Sequence, residues 1–192
     1  ETGLMSIAGG KLTGYRKMAQ RIVDLVQKKM EQKYDVALKE CFTDKIVLQG
    51  GPFEGAEDVE AYTAKLKKEV ISFGLDASYA QYLVANYGLQ SNTIIEKLQS
   101  FNDTIEVALA RAETWFCVHH ELVIHPMDFF SRRSGRLYFN IDTIPPVMDA
   151  ILDDFVQYFD WSKGYRTEMR EAIEQALYES ANFVYTENTA KG

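Results

Sequence analysis

Three groups of residues in this 192-residue chain have types and spacings that could do chemistry. The first is Gly9-Gly10-Lys11-Leu12-Thr13-Gly14, followed by Tyr15-Arg16-Lys17-Met18-Ala19. Two adjacent glycines let a backbone approach a ligand with no Cβ in the way. A helix beginning just after them offers free N–H groups and the positive end of its dipole to an anion. Lys11, Arg16 and Lys17 add positive charge at the same place. The chemistry implied is recognition of a phosphate-bearing or otherwise anionic ligand. The alternative is plain turn chemistry.

The second group is Arg132, Arg133 and Arg136, a basic cluster in a chain of net charge −7. Arginine binds carboxylate or phosphate in bidentate fashion. The functional reading is an anion or substrate contact through Arg132 and Arg133. The competing reading is ion pairing with Asp128, Glu121 or Glu113 inside a helical array. The third group is His119, His120, Glu121 and His125. The spacing is not HExxH, and His120 and Glu121 point about 100° apart on a helix. The expectation is no metal site, with boundary histidines lying beside Glu113 and Glu121.

Other patterns carry less. Gly50-Gly51-Pro52-Phe53-Glu54-Gly55 is a loop by composition and lacks the strand-to-helix setting of a phosphate cradle. Cys41 and Cys117 stand far apart, and no disulfide or zinc site follows from them. No Walker A or GxGxxG sequence is present, and no Ser-His-Asp or Cys-His arrangement can be placed. The acidic balance, with pI about 5.1, argues against nucleic-acid binding as the main role.

The elements that must position these groups are helical. Residues 4–8 read as a short strand leading into the glycine turn. A helix from Tyr15 to about Lys33 carries Met18, Ile22, Leu25, Val26 and Met30 at helical spacing on one apolar face. Residues 34–55 are irregular, with a short strand at 45–48. Helices follow over about 56–73, from an Asp76 cap to Tyr87, over 92–99 behind a Ser91 cap, and over 104–122, the longest apolar-periodic stretch. Pro126 suits the first turn of a helix to about Ser134, residues 137–141 are extended, and helices at 145–159 and from a Ser162 cap to about Val184 complete the chain. The tail after Tyr185 is expected to be disordered. The fold expected is all-α, an irregular orthogonal array of about seven helices preceded by a strand-turn remnant.

The order of residues carries a resemblance. Gly9-Gly10-Lys11-Leu12-Thr13-Gly14-Tyr15-Arg16-Lys17-Met18-Ala19 is similar to the GGKLTTYRKMA segment that closes the flavin domain of FAD-dependent glycerol-3-phosphate dehydrogenases, with Gly14 where many relatives have a second Thr. Pro126-Met127-Asp128-Phe129-Phe130-Ser131-Arg132-Arg133-Ser134-Gly135-Arg136-Leu137-Tyr138-Phe139 resembles the DFxxRRTGxLxF block of the same family's helical C-terminal domain. The two blocks fall in the expected order, and the resemblance runs from about Ser6 to Leu177.

The resemblance implies a C-terminal piece of a flavoenzyme of glycerol catabolism, or of its relative, the alpha-glycerophosphate oxidase. The parent would oxidise sn-glycerol 3-phosphate to dihydroxyacetone phosphate through FAD and pass electrons to a quinone, or to oxygen in the oxidase. Residues 1–40 would be the end of the FAD domain and a linker, and residues 41–192 the helical domain. Gly9, Gly10, Lys11, Leu12 and Thr13 would lie at the flavin, with Lys11 as the catalytic cation. The piece alone, whose first Met is Met5, would neither bind FAD nor be active. Its partners would be the rest of its own FAD domain and, through the cut face of the first helix, a second copy. Localisation would be cytoplasmic, or peripheral on the inner face of the membrane. A stand-alone helical interaction module is the alternative from another class.

Overall fold

Apolar residues recurring at three- and four-residue spacing build helices, and a computed structural model describes residues 3–182 as helices joined by short links. The chain divides into two compact units, Glu1–Leu48 and Gln49–Gly192. The first break expected from sequence lies at residues 40/41.

In the first unit, a 3-10 turn at Leu12–Gly14 runs directly into α1, Tyr15–Tyr34. Met18, Ile22, Val26 and Met30 are half-buried, and α1 has no fully buried residue. Asp35, in the left-handed conformation, closes α1 by donating its N–H to the Glu31 carbonyl at 3.1 Å. Residues 4–8 and 45–48 do not form the strands expected of them; no strand exists among the described residues. An isolated extended segment has no neighbour to take its N–H and C=O groups, so nothing holds it in a ladder.

The second unit is built around α5, Ile105–Glu121. It packs against α4, Ser91–Leu98, and α8, Pro145–Phe159. Ahead of them, α2, Ala56–Ser72, lies against α3, Ser78–Tyr87, and at the end α9, Lys163–Ala181, packs on α8. Leu109, Phe116, Phe155, Ile151, Leu83 and Ile94 are at most 1% exposed and form its centre. Burying side chains of this size contributes roughly 1.5–3 kcal/mol each before the entropy of ordering is subtracted. Ser162 caps α9 by accepting the Tyr165 N–H at 3.2 Å, and Pro126 stands at the first position of its helix, both as their residue types require. Ser91 is instead the first residue of α4, its hydroxyl donating to the Gly88 carbonyl at 2.6 Å.

Two corrections fall in the arginine block. The helix expected to run to Ser134 is a short α6, Pro126–Asp128, that widens into a π turn at Phe129–Arg133. The Ser134 N–H reaches five residues back to the Phe129 carbonyl at 2.8 Å, and the Ser134 hydroxyl donates to the same oxygen. Phe129 and Phe130, the first two residues of this turn, are both 0% exposed and enter the core. The link expected to be extended is helical: α7, Arg136–Phe139, then a 3-10 turn at Ile141–Thr143. α9 ends at Ala181, with Asn182 extended at its C-cap; the helix end expected at about Val184 and the tail after Tyr185 lie outside the described residues.

Candidate functional site

The glycine turn is open. Gly9, Gly10, Lys11, Leu12 and Thr13 are all exposed, Leu12 at 87%. A side chain at Gly9 would collide with the end of Met18 at 2.4 Å, so this glycine lets α1's own methionine fold back onto the turn. A Cβ at Gly10 would meet nothing within 4 Å. Gly10 therefore presents bare backbone to anything that approaches. Lys11, with extended backbone, accepts the Gly14 N–H on its carbonyl at 2.9 Å. Ile7, Gly10, Lys11, Leu12, Tyr15 and Met18 belong to the wall of an apolar recess of about 460 Å³. The turn thus combines free amides, one cation and an apolar wall, which suits a flat, partly apolar, negatively charged ligand.

In the second unit the three arginines meet the three acids that their sequence neighbourhood suggests. Arg132 pairs with Asp128 one turn earlier. Arg133 donates to the Glu121 backbone carbonyl at 3.1 Å and holds Nε 3.5 Å from Oε2 of the same residue. Arg136 pairs with Glu113 at 3.0 Å. The π turn aims consecutive arginines outward and returns Arg136 to the interior, where its side chain is 8% exposed.

Glu113 is the buried charge that sequence reading passed over as a simple pairing partner. It is 0% exposed and accepts hydrogen bonds from Tyr82 at 2.6 Å, Tyr87 at 3.0 Å and Arg136 at 3.0 Å. Burial first, and then the Glu113 charge, push both phenols up, so each remains a protonated donor. Burial, the largest single influence, lowers the pKa of Arg136, but the Glu113 charge, Tyr82, the hydrogen bond to Glu113 and Tyr79 together outweigh it and the net shift is upward. The signal that could have exposed this network is an acid on the apolar stripe of α5, between Ala112 and Phe116. Cys117, one turn on, lies 3.9 Å from the Tyr87 hydroxyl, and burial pushes its thiol up.

The histidines take ring contacts. His119 stacks on Trp115 and places Nδ1 2.8 Å from the Trp115 carbonyl; His120 stacks on Phe116. His125 accepts the Met127 N–H at 3.4 Å as the cap of α6. Among the described residues, no three His, Cys, Asp or Glu side chains converge as metal ligands do.

Residues 41–166 match the family described as the C-terminal domain of alpha-glycerophosphate oxidase. The aerobic glycerol-3-phosphate dehydrogenase of Staphylococcus aureus (strain USA300) is 34% identical over 182 residues, covering 94% of this chain and 33% of that protein. The enzyme of strain bovine RF122 / ET3-1 gives the same figures. The X-ray structure of the glycerol-3-phosphate dehydrogenase from Bacillus halodurans complexed with FAD superposes with a TM-score of 0.78 at 30% identity, covering 94% of this chain and 36% of that one. The chain spans about a third of the length of these relatives. With its helical unit matched and its arginine block in place, the chain belongs to the family of the C-terminal domain of alpha-glycerophosphate oxidase.

Proposed function

We propose that this chain is the C-terminal part of an FAD-dependent glycerol-3-phosphate dehydrogenase, with the flavin-facing turn in its first unit and the family's helical domain in its second. The observation that carries the reading is the Gly9–Thr13 turn: its backbone is exposed, and Gly10 leaves open space where any other residue would put a Cβ. A planar cofactor requires that kind of approach, so the residues fit it. FAD, when bound, supplies the acceptor for a hydride from sn-glycerol 3-phosphate.

The chain's own residues then have distinct tasks. Gly9 and Gly10 bring backbone against the ring. The Lys11 ammonium offsets negative charge gathered at the reduced ring or at the substrate phosphate. Leu12 and Thr13 carry the backbone from the ring into α1. Residues 1–40 form the end of the FAD domain, and residues 41–192 the domain attached to it. On this reading the remaining flavin domain is the chain's obligatory partner, the parent sits peripherally at the inner face of the membrane, and electrons leave for a quinone. Among the described residues no helix is long and apolar enough to cross a membrane. The dehydrogenase is preferred to the oxygen-reducing oxidase because the relatives cited are dehydrogenases at 34% and 30% identity.

The test is the visible spectrum of the full-length parent. Flavin bands that bleach on adding sn-glycerol 3-phosphate without air, and recover slowly with oxygen, are the expected result. A parent that holds no flavin even after reconstitution overturns the reading.

A further inference from the structure

The second unit contains a cleft that the flavin reading does not use. It has a volume of about 710 Å³ and lies between α3 and the π turn. Arg132, Arg133 and Arg136 all line it, with Asn86 from α3 and Asn140 beyond α7. None of its thirteen lining residues is acidic, in a chain of net charge −7.

The acids that pair the arginines stand behind them. Asp128, Glu121 and Glu113 are absent from the lining, yet each holds one guanidinium. A guanidinium has five N–H donors in a rigid fork, and each pairing here occupies only one or two. Arg132 uses Nη1 on Asp128 while its side chain is 75% exposed. Arg133 donates through Nη2 to the Glu121 carbonyl and holds Nε 3.5 Å from the Glu121 carboxylate, whose Oε2 has no hydrogen-bond partner among the described residues, so Nη1 stays uncommitted. Arg136 Nε is buried with no hydrogen-bond partner among the described residues. An unpartnered donor on a buried guanidinium is a costly feature. The pairings therefore act as struts: they fix the forks without filling them, and the three arginines that keep donors to spare line one cleft with no acidic residue in its wall.

We propose that this cleft binds a phosphate monoester group. The arginines meet the dianionic phosphate, Asn86 and Asn140 meet the hydroxyls of the esterified alcohol, and the Tyr79 ring, also in the lining, covers its carbon chain. The volume is several times that of a bare phosphate, which favours an ester over the free ion. The site belongs to the helical unit and stands independently of the flavin turn.

The test is calorimetric titration of the full 192-residue chain with glycerol 3-phosphate and with inorganic phosphate, glycerol being the uncharged control. A second arm uses vesicles of phosphatidylcholine with and without phosphatidate, since a lipid headgroup offers the same monoester. Saturable binding in either arm, weakened about tenfold or more by Arg132→Gln, is expected. The arm that responds identifies the source. Arg133→Gln, checked for unchanged helical circular dichroism, gives a second reading of the same loss. Lys11→Met leaves the binding intact if the site is this one. Absence of binding in both arms, binding indifferent to Arg132→Gln and Arg133→Gln, or binding abolished by Lys11→Met overturns the proposal.

Discussion

Arg136 Nη2 stands 3.0 Å from Oε2 of Glu113, the two side chains being 8% and 0% exposed. The pair joins α5 to α7 across 23 residues of sequence, and Tyr82 and Tyr87 bring α3 to the same carboxylate. A buried charge with three donors is satisfied; with one donor removed it is not.

Glu113→Ala is therefore expected to destabilise the helical unit by about 3–5 kcal/mol, because it strands a buried guanidinium. Replacing both partners, as Glu113→Leu with Arg136→Met, costs less than the sum of the single changes. Urea unfolding of the unaltered chain, Glu113→Leu, Arg136→Met and the double variant measures the coupling, and additivity within about 0.5 kcal/mol contradicts it.

Gly88 stands at φ +56, and a Cβ there would lie 2.0 Å from the Gly50 carbonyl oxygen, the same oxygen that accepts the Leu89 N–H at 3.1 Å. Backbone cannot swing aside as a side-chain tip does. Gly88→Ala is expected to cost more than about 2 kcal/mol, readable as a shift of the urea midpoint with unchanged slope.

The end of α5 offers the opposite sign. Leu122 sits in the left-handed conformation at φ +58 while 85% exposed, so it contributes strain without burial. Leu122→Gly relieves that strain, and a gain of up to about 1 kcal/mol is expected on thermal unfolding. A fall in Tm would contradict this account.

The two thiols differ in environment and so in reactivity. The Thr43 hydroxyl lowers the pKa of Cys41, whereas burial, followed by the Glu121 and Glu113 charges, raises that of Cys117. The thiolate is the nucleophile. Iodoacetamide at pH 8 is expected to label Cys41 in the folded chain and Cys117 only after denaturation, as peptide mapping would show.

Acid should loosen the α8–α9 contact. Hydrogen bonds from Arg170 and then Arg166, outweighing partial burial, hold the Asp149 carboxyl below its ordinary value of 3.8. A depressed folded pKa gives stability that is present above the unfolded value and lost as pH falls through the folded one. The acid limb of the stability curve below about pH 4 should flatten in Asp149→Asn. Because Asp149 is more than half exposed, the change is small, and an unaltered acid limb excludes the clamp.

Much of the fold was legible because helices are local. The apolar spacing of α2, α5 and α8, the Ser162 cap and the proline opening α6 are decided within a few residues, and the structure has them where the residue types place them. The pairing of Arg132, Arg133 and Arg136 with Asp128, Glu121 and Glu113 was also within reach, since opposite charges lay on adjacent elements. The strands at residues 4–8 and 45–48 were misjudged because an apolar run states a preference and cannot supply a ladder partner. The π turn escaped because periodicity assumes 3.6 residues per turn, whereas the turn is closed by Ser134 bonding five residues back to the Phe129 carbonyl, which apolar spacing does not mark.

The sequence by itself determined the helical class, most helix starts and the order of the two family blocks, all set by short-range sterics and residue order. Tertiary structure alone decided that Glu113 is buried and that Arg136 turns inward. It also decided that the arginines share a cleft free of acids. The physical reason is that burying a charge is tolerable only where partners meet it, and the partners of Glu113 come from α3 and α7, 23 to 31 residues away along the chain.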